Sequence, residues 1–138
     1  MRRNRQGFTL VEIMIVVAII ALLAVIAIPN LLRARLSAND ALAKSTVRAM
    51  STAAESFASD NNGDYPTAIT DLTAPAAGPA YLNKNYVADS PVSGYNYTTP
   101  TIAATGYSFQ AAPATCNTTG TKVYTIGTGG VLTEAVCS

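Results

Sequence analysis

The chain is predicted to adopt an α+β fold: a long N-terminal α-helix, membrane-spanning in its first half, packs its second half against a small antiparallel β-sheet. Three observations lead to this. Sixteen consecutive apolar residues, Ile13–Ile28, follow a short basic head. Apolar residues at helical spacing then continue as far as Phe57. Beyond Asp60 the composition turns to Thr, Ala, Gly, Pro and Tyr, with short alternating runs of strand character.

Arg2, Arg3 and Arg5 precede Gly7, and Phe8-Thr9-Leu10-Val11-Glu12 leads into the apolar run. Phe8 to Ile28 would extend roughly 31 Å as a helix, close to the hydrocarbon thickness of a bilayer. A backbone in hydrocarbon must satisfy its own hydrogen bonds, so one such segment has to be helical. The three arginines, with no acid beside them, keep the amino end cytoplasmic and place the remainder beyond the inner membrane. Arg33 and Arg35 follow the run, but Asp40 dilutes them. An ordinary secretory signal has a shorter apolar core and an Ala-x-Ala-like site behind it; here Pro29-Asn30-Leu31-Leu32 stands in that place. A plain signal anchor fits length and charge, yet leaves Glu12 unexplained. An intramembrane carboxylate is costly, which makes Glu12 a candidate functional group. It also has a local reading: Thr9-Leu10-Val11-Glu12 matches a capping box, with Thr9 as N-cap and Glu12 reaching back to its amide. The two roles are compatible.

These residues carry a resemblance. Gly7-Phe8-Thr9-Leu10-Val11-Glu12-Ile13, continued by Ile15–Ile20 and Ala24–Pro29, is similar to the class III signal of type IV pilins and type II secretion pseudopilins. The similarity covers about the first 36 residues; the rest matches only in general layout. It implies that residues 1–7 are a leader, cut after Gly7 on the cytoplasmic side by a membrane aspartyl prepilin peptidase that then N-methylates Phe8. The apolar helix, residues 8–30, would be kept as the filament core. The resemblance also implies that Glu12 neutralises the amino terminus of a neighbouring subunit during assembly, and it argues against a tip subunit, some of which lack the acid. The partners it implies are copies of the chain itself, the peptidase, the inner-membrane pilus assembly machinery, and the membrane before assembly.

The helix should continue over residues 31–59. Leu32, Leu36, Ala43, Val47, Met50, Ala54 and Phe57 form one stripe, interrupted by Asn39, while Arg35, Lys44, Arg48, Glu55 and Ser59 fall on the opposite face. The stripe reads as core beneath a sheet, with no cofactor site in it. Pro29 removes a backbone hydrogen bond and crowds the preceding turn, so a helix kink near Val25 is expected. In filaments of the family that the head resembles, the segment before this proline can lose helicity; Ala21 stands where many relatives have glycine. Asp60-Asn61-Asn62-Gly63-Asp64 stops the helix, with Gly63 suited to a left-handed cap.

Residues 60–138 form the β-rich region. Tyr65-Pro66-Thr67 opens an irregular connection that includes Ala74–Pro79, with short turns of helix or extended chain at Ala80–Leu82 and Tyr86–Val87. Strands are predicted at Tyr95–Thr98, Gly106–Ala111, Lys122–Ile126 and Val131–Val136, the last two joined as a hairpin by Gly127-Thr128-Gly129-Gly130. A three- or four-stranded antiparallel meander on the helix's second half is the economical arrangement.

Cys116 and Cys137 are the two cysteines. The topology above exports both to an oxidising compartment, where a disulfide would persist. It would fasten the C-terminal strand to the preceding loop and contribute about 3 kcal/mol in the chain-entropy model; two free thiols are the alternative. Such a bridge resembles the C-terminal clasp of many type IV pilins. Major pseudopilins usually carry a calcium loop, and the comparable segment here, Asp89–Tyr95, lacks the Trp and most oxygen ligands. Asp60, Asn62 and Asp64 alternate as in calcium loops, but Pro66 and the lack of a glutamate at the twelfth position break the pattern, so they read as a helix stop and no metal is assigned.

Enzymatic chemistry has little to stand on: there is no histidine, and the sequence has no nucleophile elbow, phosphate loop or metal cluster. No cofactor is expected. Removing Arg2, Arg3 and Arg5 would leave six basic against eight acidic side chains, which gives no basic face for nucleic acid. Asn96-Tyr97-Thr98 and Asn117-Thr118-Thr119 match glycosylation acceptors, a pattern frequent by chance. The reading is a structural subunit of a type IV pilus, serving adhesion, twitching motility or DNA uptake. It would be held in the inner membrane with a periplasmic C-terminal region and, once assembled, stand outside the cell. The alternative is the major pseudopilin of a type II secretion system; a membrane-anchored binding module that never polymerises is the reading from another class.

Overall fold

The computed structural model describes residues 7–138. Two α-helices, α1 (Leu10–Asp60) and α2 (Ile69–Thr73), precede four strands, β1 (Tyr95–Ala103), β2 (Gly106–Pro113), β3 (Lys122–Gly127) and β4 (Val131–Val136). The chain divides at Arg35/Leu36 into two units.

In the first unit every described residue except half-buried Ala24 is exposed, and Phe8 is 86% exposed. Among the described residues α1 is the one helix long and apolar enough to cross a membrane, and Pro29 lies inside it.

In the second unit α1 supplies one side of the core. Ala43, Val47, Met50 and Ala54 are buried as the stripe requires, and Ala53 and Ala58 join them. Leu32, counted in the stripe, is exposed. Against these residues pack Tyr95 and Tyr97 of β1, Tyr107 and Phe109 of β2, and Tyr124 and Ile126 of β3. Each large side chain so buried contributes on the order of 1.5–3 kcal/mol. The helix carries alanines where the sheet carries aromatic rings, so the two surfaces interdigitate at close range.

The sheet is an antiparallel meander in the order β1-β2-β3-β4. Alternation sets its faces: Tyr97 opposes Ala111, Phe109 opposes Ile126, and Tyr124 opposes Glu134. β1 runs five residues past its predicted end, through Pro100 to Ala103, because it is an edge strand with an irregularity between Thr98 and Thr101 that tolerates a proline. The β3–β4 hairpin turns through Gly129 and Gly130, whose φ of 77° and 74° require glycine.

Helix α1 ends one residue beyond expectation. Asn62, rather than Gly63, takes the first left-handed position (φ 59°), and the Gly63 N–H donates to the Ala58 carbonyl at 2.8 Å, the long-range bond of a Schellman cap. Helix α2 falls where only irregular connection was expected. Its start is fixed by the Asp71 carboxylate, which accepts from the Thr67 and Ala68 N–H groups at 2.9 and 3.0 Å, and Leu72 plugs it into the core. Ala80–Leu82 forms neither helix nor strand, and Tyr86–Val87 lies in a turn.

Candidate functional site

Two sets of polar residues stand out, one at the head of α1 and one where the second half of α1 meets the sheet.

At the head, Thr9 is the N-cap: its carbonyl accepts from the Ile13 N–H at 3.4 Å. Its hydroxyl accepts from the Glu12 N–H at 3.2 Å, and Glu12 Oε2 in turn accepts from the Thr9 N–H (2.8 Å) and hydroxyl (2.7 Å). This is a complete capping box. The carboxylate also sits at the positive end of the helix dipole. Only Oε2 is engaged; among the described residues Oε1 has no partner. Phe8 adjoins the box. A Cβ built on Gly7 meets nothing within 4 Å, so the fold gives no reason for a glycine there.

At the helix–sheet junction, three carboxylates hold the sheet. Asp40 accepts from the Thr121 N–H (2.9 Å), the Thr121 hydroxyl (2.5 Å) and the Tyr95 hydroxyl (2.6 Å), and Asn39 Nδ2 donates to the Thr119 carbonyl at 2.8 Å. Fifteen residues along the helix, Glu55 accepts from the Tyr107 hydroxyl (2.7 Å), the Tyr65 hydroxyl (3.0 Å) and the Gly129 N–H (2.9 Å). Buried Ser51 completes this end with a 2.6 Å bond to the Tyr107 hydroxyl. Between them, Glu134 on β4 accepts from Lys44 of α1 at 2.5 Å and from Lys122 of β3 at 3.0 Å. Lys44 and Glu55 therefore face the sheet, not solvent as their helical positions suggested; Arg35, Arg48 and Ser59 are exposed as expected.

Asp40 was legible only as a diluting charge and Glu55 only as an exposed acid. Asp40 lies three residues before buried Ala43 and Glu55 four after buried Ser51, so both border the core stripe. A charge at that spacing demands a partner, and the tyrosine-rich strands are the available donors.

These bonds make stability depend on pH. Burial alone would push Asp40 and Glu55 up, but hydrogen bonds from Thr121 and Tyr95 to the first, and from Tyr107, Gly129 and Tyr65 to the second, hold both below the usual carboxylate range. Bonds from Lys44 and then Lys122 bring Glu134 down to about 2. Groups whose folded values lie below their unfolded ones stabilise fully above the ordinary value near 4.5 and lose that contribution as pH falls. Burial, then the Glu55 bond working against the Ser51 bond, pushes Tyr107 up to about 12, so its contribution is complete below pH 10 and lost as pH rises past it. Thermal melts should show a Tm that is level from about pH 5 to 9, falls toward pH 2 and falls again above pH 10. A Tm unchanged down to pH 2 would contradict the carboxylate anchors.

Cys116 and Cys137 are joined in a disulfide that ties the residue after β4 to the 114–121 loop, and the Cys137 N–H donates to the Thr121 carbonyl at 3.1 Å. The described residues hold no group of three or more metal-ligating side chains.

A long apolar helix with an acid at its head, its second half packed against a disulfide-fastened sheet, defines the architectural class. Comparison with known proteins narrows the class. The prokaryotic N-terminal methylation motif matches residues 2–28. The chain is 48% identical over 60 residues to the type IV wide pilus major component PilA4 of Thermus thermophilus, and 50% identical over 60 residues to the type IV major pilin protein PilA of Myxococcus xanthus. Each match spans 44% of this chain, but only 46% and 27% of those relatives' own lengths. It is 33% identical over 110 residues to the type II secretion system core protein G of Pseudomonas aeruginosa, 72% of this chain and 77% of that one. The chain belongs to the family of type IV pilins and type II secretion pseudopilins. Its motif and apolar helix fit membrane anchoring before assembly, and its relatives are structural subunits.

Proposed function

We propose that the chain is a structural subunit of a type IV pilus, assembled after cleavage between Gly7 and Phe8 and N-methylation of Phe8. The observation that carries this reading is the first unit: a helix exposing apolar side chains on all sides, headed by a carboxylate with one oxygen free. Such a surface needs lipid before assembly and identical helices after it. A newly freed amino terminus at Phe8, taken from the membrane surface into a bundle of helices, needs a counter-charge, and Glu12 Oε1 of a neighbouring copy supplies it. Residues 8–30 form the filament core; residues 31–59 carry the β-rich region, 60–138, on the outside. The partners are further copies of the chain, the prepilin peptidase and the inner-membrane assembly machinery.

Gly7 supports the cleavage reading because the chain itself does not need a glycine there; the requirement belongs to whatever reads the junction. Gly7→Trp should leave the full precursor uncut, visible as a larger species in an immunoblot of membranes, with helix α1 unaffected. Normal processing of this variant would remove the assignment.

The second reading, major pseudopilin, is favoured by the longer span of the protein G match, while the disulfide clasp and the higher identity of the shorter pilin matches favour the pilus. Deleting the gene in the native cell separates them. Loss of surface filaments with exoprotein secretion intact is expected; intact filaments with exoproteins trapped in the periplasm would transfer the role to the secretion system.

A further inference from the structure

The segment that covers α1 leaves an open groove along the helix that none of the roles above uses. Its volume is about 740 Å³. Exposed Thr52 and Ser56 form one wall, Tyr81, Asn83 and Tyr86 the other, and buried Leu82 lies at the base. No lining side chain is charged. Both rings are held in place. Tyr81 packs edge-on to Phe57 at 5.6 Å between centroids and donates to Asp60 at 2.8 Å. Tyr86 lies 5.7 Å from Tyr97, with Lys84 Nζ 5.9 Å from its centre, and that amine is 3.6 Å from Asp89. Thr52 donates to the Arg48 carbonyl at 3.0 Å, whereas among the described residues the Ser56 hydroxyl, the Asn83 amide and the Tyr86 hydroxyl make no side-chain hydrogen bond.

We propose that this groove binds a neutral oligosaccharide. A sugar ring offers an apolar C–H face and a rim of hydroxyls that both donate and accept. The groove offers matching elements: two fixed aromatic rings, an apolar base, and three free polar groups of which each also both donates and accepts. An ionised ligand would lose hydration there without a counter-charge among the lining residues. The groove is open along the helix, which suits a chain of sugars rather than an enclosed small molecule. It lies within one copy, so the inference stands independently of filament assembly.

The test is a titration of the full-length, ¹⁵N-labelled chain, held in a zwitterionic detergent that carries no sugar, with cellohexaose, chitohexaose and maltohexaose in turn. At least one should give saturable shifts confined to residues 49–56 and 80–86, with a Kd of about 1 mM, weakened about tenfold or more in Tyr86→Ala and in Asn83→Ala. Asn83 is exposed, so its variant tests the site without disturbing the core. The absence of shifts with all three sugars, or shifts that persist in both variants, would overturn the inference.

Discussion

Glu12→Ala is expected to leave a processed chain in the membrane and to remove filaments from the cell surface. Two effects add. Loss of the capping box costs about 1 kcal/mol of helix stability at the first turn. Stranding the buried amino terminus of the neighbouring subunit costs on the order of 3–5 kcal/mol at each junction, which weakens subunit addition more than a hundredfold. Glu12→Gln separates them, because glutamine caps as well as glutamate but carries no charge. If ion pairing drives assembly, both variants lack filaments in the fraction sheared from cells, while both accumulate as processed monomer. If capping is the whole role, Glu12→Gln makes filaments at the wild-type level. That result would remove the pairing role and keep only the hydrogen bonds to Thr9.

Gly120→Ala is expected to be the most damaging single-methyl change in the second unit. A Cβ at Gly120 would lie 2.3 Å from the Tyr95 hydroxyl oxygen and 2.5 Å from two of its ring carbons. Tyr95 is fully buried, so its ring has nowhere to go without opening the core. Its hydroxyl donates to Asp40 and lies 2.9 Å from the Lys122 carbonyl. The loop cannot retreat freely either, because Cys116 is bonded to Cys137 and Asn117 N–H donates to the Gly120 carbonyl at 2.8 Å. Overpacking and the lost bond to a charged acceptor together cost about 3 kcal/mol or more. For a unit of this size that lowers Tm by roughly 12 °C or more, measurable by circular dichroism of the full-length chain in micelles. Tyr95→Phe removes the hydroxyl contact but leaves two ring carbons 2.5 Å from the new Cβ, so the double variant should recover little of the loss. An unchanged Tm in Gly120→Ala would mean that the Asp40–Tyr95 anchor does not hold the sheet.

The architecture was legible wherever periodicity was strong. Sixteen apolar residues in a row, a 3-to-4-residue stripe and four alternating runs place α1 and all four strands within a few residues of their observed limits, because each pattern reports which face must leave water. The misses have physical causes. Helix α2 has five residues, too short to show a period, and depends on a local cap by Asp71 and on Leu72, whose burial needs the tertiary structure. The expected β1 stops at Thr98, whereas the strand runs on through Pro100 to Ala103, which its edge position and the irregularity after Thr98 permit. The head of α1 was read from a four-residue spacing, and the structure forms that capping box in full. The carboxylate anchors are not legible in the sequence, since Asp40, Glu55 and Lys44 gain their meaning from tyrosines and a glutamate ten or more residues away.

The central claim, a processed subunit of a surface filament, is tested most directly by the intact mass of the chain sheared from the surface of its native cells. The account predicts a single species that begins at N-methylated Phe8 and is two hydrogens lighter than the reduced chain, for the Cys116–Cys137 bond. A chain found only in membranes and still beginning at Met1 would contradict it.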